Sequence, residues 1–201
     1  MGPYGDMNWP TRQRRREIAG IVLIAAGIVF TGYGFYIPAK AALAQVLLER
    51  AWSAATPTGP APRPWPWADT RPVARISVPD HEVSLIVLAG AHGRALPFGP
   101  GHVDGTAEPG RPGHSVVAAH RDTHFAFLRY LRIGETIEVE RPGGGRIRYV
   151  VVEKDVLDVR KQTIRLDPSG DVLSLVTCYP FTDWDPGGPL RYVVTAIADP
   201  V

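Results

Sequence analysis

Cysteine is almost missing from this chain: one residue, Cys178, among 201. A single thiol excludes an internal disulfide and any zinc site built on paired cysteines. Net charge is also nearly absent, at +2. That is far too little for the basic footprint of a nucleic-acid binder, so no nucleic-acid partner is expected. No internal repeat is present. Charge disappears altogether between Ile18 and Ile37.

That uncharged run matches the ~20 residues a helix needs to cross a bilayer. Arg12, Arg14, Arg15 and Arg16 precede it, and Lys40 alone follows closely. The asymmetry places the N-terminus in the cytoplasm and the rest outside. Phe30, Tyr33, Phe35 and Tyr36 gather at the outer end, as an interfacial aromatic belt does. Ala42-Leu43-Ala44 resembles a cleavage site, but the apolar run exceeds the ~7–15 residues of a signal peptide, so a retained anchor is expected.

The expected organisation is a cytoplasmic N-terminus over 1–17 and a transmembrane anchor over 18–37. A juxtamembrane helix and Pro-rich stalk follow over 38–72, then a folded domain over 73–201. Lys40 to Trp52 holds good helix formers. Pro57, Pro60, Pro62, Pro64, Pro66 and Pro72 then favour an extended, semi-rigid spacer. Trp65 and Trp67 interrupt the spacer and are expected to pack against the domain, with docking on the membrane surface as the alternative.

Apolar residues make up 45% of the chain, enough for a core in a body of this size. The body reads as short strands: Arg75–Val78 and Val83–Leu88 around a Pro79-Asp80 turn, Ser115–Ala119, Thr136–Glu140, Arg146–Val152, Val156–Val159, Val172–Thr177 and Arg191–Ile197. Pro142-Gly143-Gly144-Gly145 joins two of them as a hairpin. Only Phe125–Leu131 reads as helical, capped by Asp122 or Thr123. Many short strands with Gly/Pro turns imply an all-β barrel or sandwich.

Cys178 closes the apolar run Val172–Val176, and Pro180 prevents that strand from continuing. The thiol therefore stands where a rigid sheet hands over to a loop, a common place for chemistry. A lone strand cysteine is otherwise an inert core residue. A cysteine nucleophile needs a proton partner and a group for the developing oxyanion. The proton partners available are His81, His92, His102, His114, His120 and His124. His120 follows Val116–Ala119 and so also stands at a strand end. Arg191 opens the last strand; if the last two strands pair, it returns beside Cys178. His114, His120 and His124 fit no zinc spacing, so no metal is expected. His120-Arg121-Asp122 mimics a kinase loop in a chain without the rest of a kinase. The glycines 143–145 precede no Lys-Ser/Thr helix and serve the turn rather than a phosphate. Asp183 and Asp185 read as solvated loop acids.

These residues resemble those of the sortases. Leu175-Val176-Thr177-Cys178 is similar to the family's Leu-x-Thr-Cys signature. Gly99-Pro100-Gly101-His102-Val103, Pro109-Gly110 and Ala119-His120-Arg121-Asp122-Thr123-His124-Phe125 resemble its histidine segment, and Arg191 falls where its strand arginine is expected. Ala119 and Ser174 depart from the commoner Gly and Thr. The Thr-Cys-Tyr-Pro-Phe form, the stalk and the single anchor look most like class D/E sortases or the dedicated sortases of Gram-negative bacteria, with the lean toward the latter.

The resemblance implies a closed eight-stranded β-barrel with short helices behind an N-terminal transmembrane helix, in the cytoplasmic membrane. It implies a cysteine transpeptidase that cleaves a C-terminal sorting motif of a substrate protein, forms a thioester and passes the product to an amine acceptor, without a cofactor. Cys178 would be the nucleophile and His120 the general acid. Arg191 would hold substrate and oxyanion, and Thr177 would assist. The alternatives are a cysteine peptidase, in which water resolves the thioester, and a non-catalytic anchored β-domain with a thiol inert to alkylation.

Overall fold

The computed structural model describes residues 12–57, 59–167, 170–182 and 188–199, so Asp183 and Asp185 lie outside it. The chain divides into two units, residues 1–43 and 44–201. Helix α1, Arg12–Ser53, is shared between them. In the first unit its side chains are mostly exposed, and Pro38 lies within it. Among the described residues it is the one helix long and apolar enough to cross a membrane, with a mean hydropathy of 2.1 over its most apolar stretch.

The second unit opens on the last turns of α1, whose surroundings are different. Leu48 is fully buried against Ile86, Leu88 and Ala95. Gln45 Nε2 donates to the Phe98 carbonyl at 2.8 Å, and Glu49 pairs with Arg75. The expected juxtamembrane helix is thus the end of one continuous helix. The stalk then lies on the body. Ala61, Ala68 and Thr70 are buried, and Thr70 Oγ1 donates to Ala89 O at 2.8 Å. Trp65 packs edge-on against Phe98, with centroids 5.4 Å apart. Trp67 departs from expectation and remains 83% exposed.

Eight strands close into a barrel: β1 Pro72–Val78, β2 Val83–Ala89, β3 Gly101–His102, β4 His114–Ala118, β5 Thr136–Glu140, β6 Arg146–Asp158, β7 Val172–Cys178 and β8 Leu190–Ala198. Their order around the barrel is β1-β2-β3-β4-β7-β8-β6-β5. Closure removes the edge strands that would otherwise template aggregation. Alternation along each strand sends one set of side chains inward. Ile76, Val117, Ile137, Tyr149, Leu175 and Val194 meet there in one fully buried core.

Three details differ from the sequence reading. The segment Val156–Val159 is not a separate strand. β6 runs unbroken to Asp158 because β8 supplies backbone partners throughout, and the register shift between Val151 and Glu153 absorbs the polar stretch. Phe125–Leu131 holds a short 3₁₀ turn, Ala126–Arg129, with no side-chain cap; the Ala126 N–H bonds the Thr123 carbonyl instead. Strand β3 is added, bridging β2 and β4 with only two residues. It needs glycine: a Cβ on Gly101 would stand 2.5 Å from the Gly90 carbonyl oxygen.

Candidate active site at the rim of three strands

Strands β4 and β7 run parallel, with Ala118 opposite Val176. Strands β7 and β8 run antiparallel, with Cys178 opposite Arg191. Residues directly opposite each other share a face. Ala118, Val176, Cys178, Arg191 and Val193 therefore belong to the outer face, where Val116, Val176 and Val193 form an apolar patch. Two residues beyond the Ala118–Val176 pair stand His120 and Cys178, both at the same rim. The strand pairings set Cys178 opposite Arg191 and lead His120 off the end of the neighbouring strand.

Inward-facing residues fix that rim. The Ala119 N–H bonds Val176 O at 3.1 Å, extending the ladder one step past β4. Thr177 is 2% exposed, and its Oγ1 donates to Ala119 O at 2.7 Å. Ala119 is thus held through both its N–H and its carbonyl, which sets where His120 leaves the barrel. The His120 carbonyl then accepts the Phe125 N–H at 3.0 Å, closing the turn behind it.

Exposure follows function-like lines. His120 is exposed, while Cys178, a free thiol, and Arg191 are half-buried. Arg191 Nη1 donates to the carbonyls of Gly188 at 2.7 Å and Leu190 at 2.8 Å, which fixes the guanidinium at the start of β8. Burial lowers the pKa of His124, and the His120 imidazole nearby lowers it further, so His124 favours the neutral ring.

The other histidines are placed differently. His114 is buried on the outer face of β4. Its Nδ1 accepts the Asp167 N–H at 2.9 Å, so the neutral ring carries its hydrogen on Nε2 and donates to Ser174 Oγ at 2.9 Å. Burial pushes its pKa down against the pull of the Asp167 carboxylate. His102 Nε2 contacts the Ala107 carbonyl and Thr106 Oγ1, and His81 pairs with Glu135.

One feature of the rim escaped the sequence reading. Tyr179, Phe181 and Tyr192 form a cluster of half-buried rings beside the Cys178–Arg191 pair. Tyr179 stacks on Tyr192 at 6.1 Å, and Phe181 meets Tyr192 edge-on at 5.3 Å. Arg129 lies over Phe181 at 5.2 Å. The available signal was adjacency, since an aromatic residue directly follows each of Cys178 and Arg191.

Comparison with known proteins agrees with this geometry. The sortase domain model matches residues 76–199, more than half of the chain. Sortase D of Bacillus subtilis is 26% identical over 193 residues, covering 89% of this chain and 96% of that protein. Sortase C-1 of Actinomyces oris is 28% identical with a TM-score of 0.55, over 79% of this chain and 99% of that one. Sortase A of Corynebacterium diphtheriae, at 21% identity, shares the fold with a TM-score of 0.59, over 80% of this chain and 84% of that one. The class D relative agrees with the D/E side of the sequence expectation. A barrel of this topology, matched by the family model along almost its whole length, belongs to the sortase family of cysteine transpeptidases.

Proposed function

We propose that Cys178, His120 and Arg191 carry the transpeptidation, with Thr177 positioning them. The observation that supports this most is the registration of Cys178 against Arg191 beside the stapled exit of β4. Cys178 Sγ, as thiolate, attacks the carbonyl carbon of the scissile bond in the sorting motif. Arg191 N–H groups stabilise the oxyanion that forms, through charge-assisted hydrogen bonds. The C–N bond breaks as the His120 imidazolium gives its proton to the leaving amine, and a thioester remains on Cys178. The acceptor amine then attacks the thioester carbon and loses a proton to His120. The thiolate leaves and a new amide bond is made. The Thr177 hydroxyl is committed to Ala119, so its contribution is to hold His120's backbone in place.

The substrate is a protein bearing a C-terminal sorting motif, and the acceptor is an amine. Residues 18–37 anchor the enzyme in the cytoplasmic membrane, with the arginines from Arg12 to Arg16 inside and the domain over 73–201 outside. Protease added to intact spheroplasts should digest the barrel and spare residues 1–17; the reverse pattern would overturn the orientation.

A sorting-peptide assay tests the chemistry. Wild type should trap the peptide's acyl part on Cys178 as a mass increment, release it to added amine as a new amide, and lose both in Cys178→Ala. Equal turnover by the two proteins would end the reading. A product mass showing only the free acid in the presence of amine would make the enzyme a peptidase.

A further inference from the structure

Arg71, Arg111 and Arg141 line one pocket of about 530 Å³, with Glu108 as its acidic member. The walls come from the stalk, the first residues of β1, the segment ahead of β4 and the β5–β6 hairpin. Prolines, among them Pro57, Pro72 and Pro142, supply much of the apolar lining. The pocket shares no residue with the Cys178 rim.

The pocket is built rather than incidental. The hairpin tip lies against the stalk: a Cβ on Gly143 would stand 2.2 Å from Pro57 N. Arg141 threads between two glycines at positive φ. A Cβ on Gly110 would stand 3.1 Å from Arg141 Cγ, and one on Gly145 would stand 2.5 Å from Arg141 Nη2. Glycine at both positions is what lets the guanidinium reach the pocket. Arg141 Nε is nevertheless shut off from solvent without a hydrogen-bond partner. A nitrogen that water does not reach is out of a ligand's reach as well, so any grip by Arg141 uses its terminal guanidinium nitrogens.

Charge points to the ligand. Arg71 lies 3.9 Å from Glu108, whereas neither Arg111 nor Arg141 makes an ion pair among the described residues. Three cations thus face one carboxylate. A carboxylate ligand presents one charge and a flat pair of oxygens, which a single guanidinium fork satisfies. A phosphate presents more charge and three oxygens in a tetrahedral array, which suits several forks at once. The proline walls suit the organic part of an ester. We infer that this pocket binds a phosphate monoester, gripped by Arg71, Arg111 and Arg141 between the stalk and the β5–β6 hairpin.

The test uses the full chain in uncharged detergent micelles and ³¹P NMR titration with glycerol 3-phosphate. Saturable binding is expected. Arg111→Gln and Arg141→Gln should each weaken it about tenfold, the size of one lost charge-assisted contact. Glu108→Gln should strengthen it several-fold by removing the competing acid. Arg94→Gln, a change at an exposed arginine away from the pocket, should leave it unchanged. Glycerate, the carboxylate counterpart, should bind at least about tenfold more weakly. In a second arm, the chain sits in phosphatidylcholine nanodiscs with or without phosphatidic acid, whose headgroup is a monoester. Loss of glycerol 3-phosphate binding when phosphatidic acid is present assigns the site to a lipid headgroup; undiminished binding assigns it to a phosphate monoester outside the bilayer. Absence of saturable binding in wild type overturns the inference. So does binding that Arg111→Gln does not weaken or that glycerate matches. Arg111 is exposed, so its variant keeps the outcome readable even if Arg141→Gln fails to fold.

Discussion

Two histidines frame β4, and their fates are opposite. His114 opens the strand, 7% exposed, with both ring nitrogens held by Ser174 and the Asp167 backbone. His120 lies just past the other end, exposed, with its backbone fixed by its neighbours. Both belong to the outer face by the alternation of the strand. What differs is the cover. The segment leading into β7 folds over His114, and Asp171 Oδ1 accepts the Gly113 N–H at 2.9 Å to hold it there. A histidine with both nitrogens engaged has no capacity left for substrate. On the proposed reading, the reacting imidazole is the one held in place from behind and left uncovered in front.

The largest effect expected at the open end is that of Cys178→Ala, which should reduce turnover by at least about 10³-fold while the fold persists. Arg191→Lys keeps the charge but loses the planar fork. It should lower kcat/KM by about 10²-fold with little change in Tm, and a value near wild type would remove the oxyanion role. Thr177→Val keeps the shape but leaves the Ala119 carbonyl without its donor. Denaturant unfolding should show a loss of about 1–3 kcal/mol, accompanied by slower turnover. Unchanged stability with unchanged rate would mean that the staple does not position His120.

The smallest prediction is read in pH. His114 and His124 are both held below the ordinary imidazole value. The unfolded chain takes up protons near the ordinary value of ~6.5, before the folded chain does. Stability is therefore complete above that value and declines as pH falls from there toward the lowered folded values. Calorimetric Tm should drop between about pH 7.5 and 5.5, and His114→Gln should flatten the slope. The same slope in both proteins would mean that the covered histidine titrates as freely as an exposed one.

Much of this was legible before any coordinates. Period-two alternation marked Thr136–Glu140 and Arg146–Tyr149, and the glycine run marked their hairpin. Cys178 and His120 were legible because each stands where an apolar run ends, and Arg191 because it opens the last such run. Other features had no local signature. A two-residue strand such as β3 carries no periodicity. The continuity of β6 through Glu153-Lys154-Asp155 is a property of its partner β8, not of its own polarity. The stalk reads as a spacer from its prolines, yet its docking depends on distant contacts such as Trp65 with Phe98 and Thr70 with Ala89. His114 reads like any other histidine, because its partners lie more than fifty residues away along the chain.

The parallel pairing of β4 with β7 has a consequence for variation. Two neighbours pointing the same way leave the sheet together, so everything from Arg121 to Asp171 forms a detour that starts beside His120 and ends at the far end of the ladder. Lengthening that detour in its loops adds only a slowly growing closure entropy. Sulfur and imidazole can therefore keep their spacing while the intervening excursion is redrawn. New recognition surfaces could be grafted there without moving the Cys178 rim.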